Sequence, residues 1–112
     1  MSRLDIAPPP QDHAATFAAL GDPTRLSLLG RLSGGQAQSI AKLSTDTRLT
    51  RQAITKHLHV LEGAGLVSSL RVGRETQFAY RPEPIEAARS YLDEVSAQWD
   101  AAFARLKAFV EK

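Results

Sequence analysis

Five side chains between residues 51 and 59 carry most of the polar chemistry of this chain. They are the guanidinium of Arg51, the carboxamide of Gln52, the hydroxyl of Thr55, the ammonium of Lys56 and the imidazole of His59. No carboxylate follows Asp46 until Glu62. A donor-rich, acid-free set suits a polyanion. Arg and Lys donate to phosphate or to guanine O6 and N7, and a carboxamide can pair bidentately with adenine. A carboxylate among them would repel a nucleic-acid backbone. Catalysis is not expected: the chain has no Cys, no Ser/His/Asp order, no glycine-rich phosphate loop and no paired acids in a cleft-forming pattern.

These groups need a helix to align them. At about 100° per residue, Leu58 and Leu61 fall within about 40° of Ile54 and define a buried side. Gln52, Lys56 and His59 then lie about 140–160° from Ile54, and Thr55 about 100°. Arg51 is on the flank, at the N-terminal end, where its length lets it reach round. Thr50 is a good N-cap for this helix, which should run to about Gly63, and its N-terminal end adds partial positive charge. His57 falls beside the buried side and should pack or hydrogen-bond locally. His13 and His59 have no partner at metal-ligand spacing, so neither a metal nor a cofactor is expected.

The rest of the chain reads as scaffold. Pro8-Pro9-Pro10 suggests an extended arm over residues 1–11. A short helix follows from about Asp12 to Leu20, with Phe17 and Leu20 on one side and Gly21 ending it. Asp22-Pro23 starts a second helix, Asp22 as N-cap and Pro23 in the first turn, with Leu26, Leu29 and Leu32 as its buried stripe. Ser33-Gly34-Gly35 stops it. A third helix over about Ser39–Ser44 turns Ile40 and Leu43 inward, and Thr45–Arg48 is a turn. Leu66–Arg71 and Thr76–Arg81 read as two strands around a Val72–Glu75 turn, where Gly73 can take positive φ and Arg74 stands at the tip. The expected fold class is mainly α with a small β-hairpin: a winged helix-turn-helix of about five helices and a two-stranded wing, occupying residues 12–112.

From about Ile85 to Val110 runs the longest helix. Ala88, Leu92, Val95, Trp99, Ala102, Leu106 and Phe109 repeat every four and three residues, a heptad stripe widened by Phe103. Much of that stripe would be exposed on a monomer, so it is expected to form a dimer interface through Leu92, Val95, Trp99, Phe103 and Leu106, together with Phe17 of the first helix. Charge follows the same division of labour. Residues 25–60 hold six basic side chains against Asp46 alone, while residues 1–24 and 82–112 are each net acidic. A basic middle favours a polyanionic partner. At 112 residues the chain holds one domain. No apolar run approaches a membrane span and no signal peptide is apparent, so a cytoplasmic location is expected.

With these elements in place the chain resembles the ArsR/SmtB family of winged helix-turn-helix repressors. The resemblance rests on LGDPTRLSLLGRL in the second helix, SIAKLS in the third, LTRQAITKHLHVLEGAGLV in the fourth and SLRVGRETQFAYRPEPI in the wing. It implies a homodimeric regulator that binds double-stranded operator DNA and is released by a ligand. Thr50, Arg51, Gln52, Thr55, Lys56, His59 and Arg74 would then face DNA, and a twofold dimer implies an inverted-repeat operator. The chain departs from the metal-sensing members: the stretch Gln36–Lys42 carries no Cys-x-Cys, and the last helix has Asp93, Glu94 and Asp100 but no His. The effector is therefore unassigned. Two alternatives stand beside this reading: a winged-helix module that docks protein, and a sensor binding metal through groups such as Asp12, His13 or Asp93.

Overall fold

The computed structural model describes residues 12–45 and 47–111. The expected proline arm, Asp46 of the Thr45–Arg48 turn, and Lys112 lie outside the described residues. Along the chain the elements are α1 (His13–Leu20), α2 (Pro23–Leu32), β1 (Gln38–Ser39), α3 (Ile40–Ser44), α4 (Arg51–Gly63), β2 (Val67–Val72), β3 (Glu75–Tyr80) and α5 (Glu83–Val110).

Four helices begin on a side chain that accepts an otherwise unpaired N–H of the first turn. Asp12 accepts from Ala15, Asp22 from Arg25, Ser39 from Lys42 and Thr50 from Ala53. Asp12 and Ser39 are thus caps rather than first helical residues. In α5 no side chain caps the start, and Pro84 stands within the first turn, where its missing N–H costs nothing.

The wing differs from a plain hairpin. β1 pairs antiparallel with β3, Gln38 opposite Phe78 and Ser39 opposite Gln77, giving a three-stranded sheet in the order β1-β3-β2. Two residues are too few to display an alternating pattern, so nothing local marks them as a strand. Between β2 and β3 the register runs from Val67 opposite Tyr80 to Val72 opposite Glu75. Only Gly73 and Arg74 remain in the turn, and Gly73 takes φ +63°, a conformation that disfavours a side chain.

Helix α2 is rotated from expectation. Leu28, Leu29 and Leu32 are buried, whereas Leu26 is 53% exposed. On a helical projection Leu28, Leu32 and Leu29 span about 100°, and Leu26 lies about 60° outside that arc. Arg25 projects into the middle of the buried arc, where its guanidinium reaches the carbonyls of Ala19 and Ala18. The core joins Ala19 of α1 and these three leucines to Leu43 of α3, Ile54, Leu58 and Leu61 of α4, then Leu66, Val67 and Phe78. Helices α1 to α4 supply buried side chains to that core, whereas α5 adds only the partly buried Ile85 at its edge and buries Pro84 and Ala88 near its start.

Candidate nucleic-acid interface

Helix α4 stands in the fold as its periodicity predicts. Ile54, Leu58 and Leu61 are fully buried. Arg51, Gln52, Lys56 and His59 are exposed and Thr55 is half-buried. Among the described residues no carboxylate pairs with Arg51, Lys56 or Arg74. The two threonines have distinct hydrogen-bonding states. Thr50 Oγ1 accepts the Ala53 N–H at 3.1 Å, and its hydroxyl donates to no acceptor among the described residues. Thr55 donates its proton to the Arg51 carbonyl at 2.7 Å, which leaves lone pairs that can only accept.

The wing tip comes beside the start of α4. A groove of about 240 Å³ is lined by Ser39, Ile40, Ala41, Arg51, Arg74 and Thr76, with Glu75 also on its wall. Two guanidinium-bearing residues far apart in sequence therefore share one surface. At the other end of α4, Glu62 Oε2 accepts the Ser69 N–H at 3.2 Å and the Ser69 hydroxyl at 2.7 Å. Ser69 lies on β2, an edge strand of the sheet. The last acid of the helix thus holds the wing rather than facing a ligand.

Not all of the basic block is available to a partner. Arg31 donates to the carbonyls of Leu43 at 2.7 Å and Lys42 at 3.0 Å, satisfying the C-terminal end of α3. Arg25 donates through Nε to the Ala19 carbonyl at 2.6 Å and through Nη2 to that of Ala18 at 3.3 Å. Its Nη1 meets His57 Nδ1 at 3.4 Å, and Asp22 Oδ2 lies 3.8 Å from the same nitrogen. His57 therefore hydrogen-bonds locally, as its place on the helix predicts. The Asp22 carboxyl is held below its ordinary value, first by the Arg25 N–H; partial burial works against this, and the charge of Arg25, that of His57 when protonated, and the Thr24 N–H add to it.

The residues expected at a dimer interface are presented outward. Phe17 is 36% exposed, Leu92 50%, Trp99 59%, Phe103 60% and Leu106 58%; Val95 is half-buried. The Trp99 and Phe103 rings meet with their centres 5.7 Å apart and their planes tilted by 35°. Phe17, Leu20, Ile85, Ala88 and Leu92, with Arg89 and Asp93, line an open, mainly apolar hollow of about 410 Å³ between α1 and α5. Asp12 and His13 are engaged elsewhere than in a ligand set: Asp12 caps α1, and the His13 ring stacks on Tyr91 at 4.6 Å. Among the described residues no group of three or more His, Cys, Asp or Glu side chains could hold a metal ion. Nor is any helix of those residues long and apolar enough to cross a membrane.

The chain is similar to known helix-turn-helix proteins. A helix-turn-helix domain family matches residues 20–69, which span α2 to the start of the wing. The chain is 42% identical over 78 residues to the uncharacterized helix-turn-helix-type transcriptional regulator YuzN of Bacillus subtilis, covering 64% of this chain and 85% of that one. It is 30% identical over 85 residues to the helix-turn-helix-type transcriptional regulator YgaV of Escherichia coli, covering 76% and 86%. Among solved structures, an ArsR-like transcriptional regulator from Rhodococcus sp. RHA1 superposes with a TM-score of 0.77 at 38% identity, covering 87% of this chain and 91% of that one.

Proposed function

The chain belongs to the ArsR family of winged helix-turn-helix DNA-binding transcriptional regulators, and we propose that it acts as a homodimeric repressor on an inverted-repeat operator. One observation carries the proposal. The exposed side of α4 presents Arg51, Gln52, Lys56 and His59, none of them paired with a carboxylate among the described residues, and Arg51 shares a groove with Arg74 of the wing, where Glu75 also lies. Helix α4 enters the major groove. Gln52 reads a base edge, Lys56 and His59 contact a base edge or phosphate, and Arg51 with Arg74 follows the backbone. The free Thr50 hydroxyl proton suits a phosphate oxygen. Thr55 suits a donor such as a base amino group.

The apolar stripe of α5 supports dimerisation, since Trp99, Phe103 and Leu106 stay more than half exposed on a single protomer. A twofold pair sets the two α4 helices about one DNA turn apart, so half-sites are expected ~10 bp apart or a multiple of that. Such a regulator works in the cytoplasm and needs no enzymatic activity or cofactor of its own. No effector is assigned. The test is a gel shift with DNA from upstream of its own gene over a salt series. A steep fall in affinity with salt, together with preference for one sequence, supports the reading. Binding indifferent to sequence overturns it, and the absence of DNA binding favours a protein-docking module.

A further inference from the structure

We infer that Arg25 is a positioning residue for DNA recognition that acts through His57, and that protonation of His57 exchanges its partner from Arg25 to Asp22. The inference rests on the proposed reading of α4 as the helix that contacts DNA. Arg25 ties three elements together: it starts in the first turn of α2, donates to the carbonyls of Ala18 and Ala19 at the end of α1, and meets His57 in the middle of α4. A guanidinium only donates, so a hydrogen bond across this 3.4 Å contact needs Nδ1 of His57 as the acceptor, which assigns the ring proton to Nε2. Asp22 Oδ2, 3.8 Å from Nδ1, is too far for a hydrogen bond and already accepts the Arg25 N–H at 3.0 Å.

A proton on Nδ1 reverses these relations. The ring then has two donors and no acceptor, the contact with Arg25 becomes repulsive, and the carboxylate of Asp22 becomes the attractive partner. Other titratable groups on elements packed against α4 are Asp12 and His13 on α1, Arg31 on α2, Lys42 on α3 and Arg71 on β2; on α4 itself they are Arg51, Lys56, His59 and Glu62. Among the described residues only Asp22 and Arg25 pair with the His57 ring. His57 sits between Lys56 and Leu58, one residue from a proposed DNA contact and two from His59. Moving its anchor therefore alters the seating of the reading face without touching that face.

The experiment measures the affinity ratio for operator against unrelated DNA between about pH 8 and about pH 5, the range over which imidazole charges. A ratio cancels any uniform change in phosphate affinity with pH. The wild type should lose roughly tenfold in selectivity on acidification, the scale of one charge-assisted hydrogen bond. His57→Asn keeps an acceptor near Nδ1 but does not titrate; it should match the wild type at pH 8 and stay flat. Arg25→Met should already be roughly tenfold less selective at pH 8. Nitrogen-15 NMR of the free protein at pH 8 should find the Nε2–H tautomer at His57, a readout that needs neither DNA nor a variant. An Nδ1–H tautomer, or full pH dependence retained in His57→Asn, overturns the inference. Failure of the wild type to select any operator at pH 8 instead overturns the DNA reading, with the tautomer still decided separately.

Discussion

Glu62, in the last turn of α4, accepts both the backbone N–H and the hydroxyl of Ser69 in β2, at 3.2 and 2.7 Å. The contact braces the wing against the helix it follows and satisfies an N–H on an edge strand. Glu62→Ala should cost about 1 kcal/mol, because each of these exposed bonds is worth little net. The sharper readout is local: amide exchange at Ser69 should quicken while that of Leu58 in the core stays unchanged. Unaltered exchange at Ser69 would mean that strand pairing with β3 holds the wing alone.

Two residues of the proposed interface should separate reading from gripping. Gln52→Ala is expected to relax preference at one base pair by ~1–3 kcal/mol, while Arg74→Ala weakens all sequences alike and lowers the salt slope by about 1. Binding to an operator library at two salt concentrations distinguishes them. If Gln52→Ala leaves every base preference intact, α4 is seated in DNA with another side foremost.

The parts of this fold legible in the sequence are those with local signals. Asp22 and Thr50 announce caps because the N–H each accepts is three residues away. Ile54, Leu58 and Leu61 announce a buried side because the helical period brings them together. What escaped depends on distant partners. Strand β1 exists through its pairing with Phe78 and Gln77, and two residues carry no period. Leu26 reads as core by spacing, yet Arg25 takes the inward place, held by carbonyls of α1 and by His57. Arg31 and Glu62 look like surface charges available to a ligand. Their engagement with Leu43 and Ser69 follows from how α2, α3 and β2 pack, which no local count of charges reveals.

Asp22 links stability to acid. Its pKa is lowered in the fold, chiefly by the Arg25 N–H. A carboxyl with a depressed folded value stabilises the protein above its unfolded pKa, and that contribution is lost as pH falls through the folded value. Thermal melts of Asp22→Asn, which preserves an N-cap, should therefore decline less than the wild type below about pH 4. Parallel acid limbs in the two proteins would show that Asp22 does not contribute to the wild-type decline.

The α5 stripe yields a test that separates assembly from folding. Trp99 is 59% exposed and lies outside the buried core, so Trp99→Glu removes no core packing from the protomer. Its α-helical circular dichroism should persist at high protein concentration. Sedimentation should nevertheless give a monomer, since a carboxylate buried between two apolar stripes has no partner. Operator affinity should fall by roughly 10²-fold or more, because each half-site must then be bound without the avidity of its twin. Leu58→Ala provides the contrast: it deletes a fully buried side chain, and the expected loss of about 2–5 kcal/mol falls on the fold itself, so protein that remains folded should still pair. A Trp99→Glu protein that stays dimeric with unchanged operator affinity would place the interface elsewhere on the molecule.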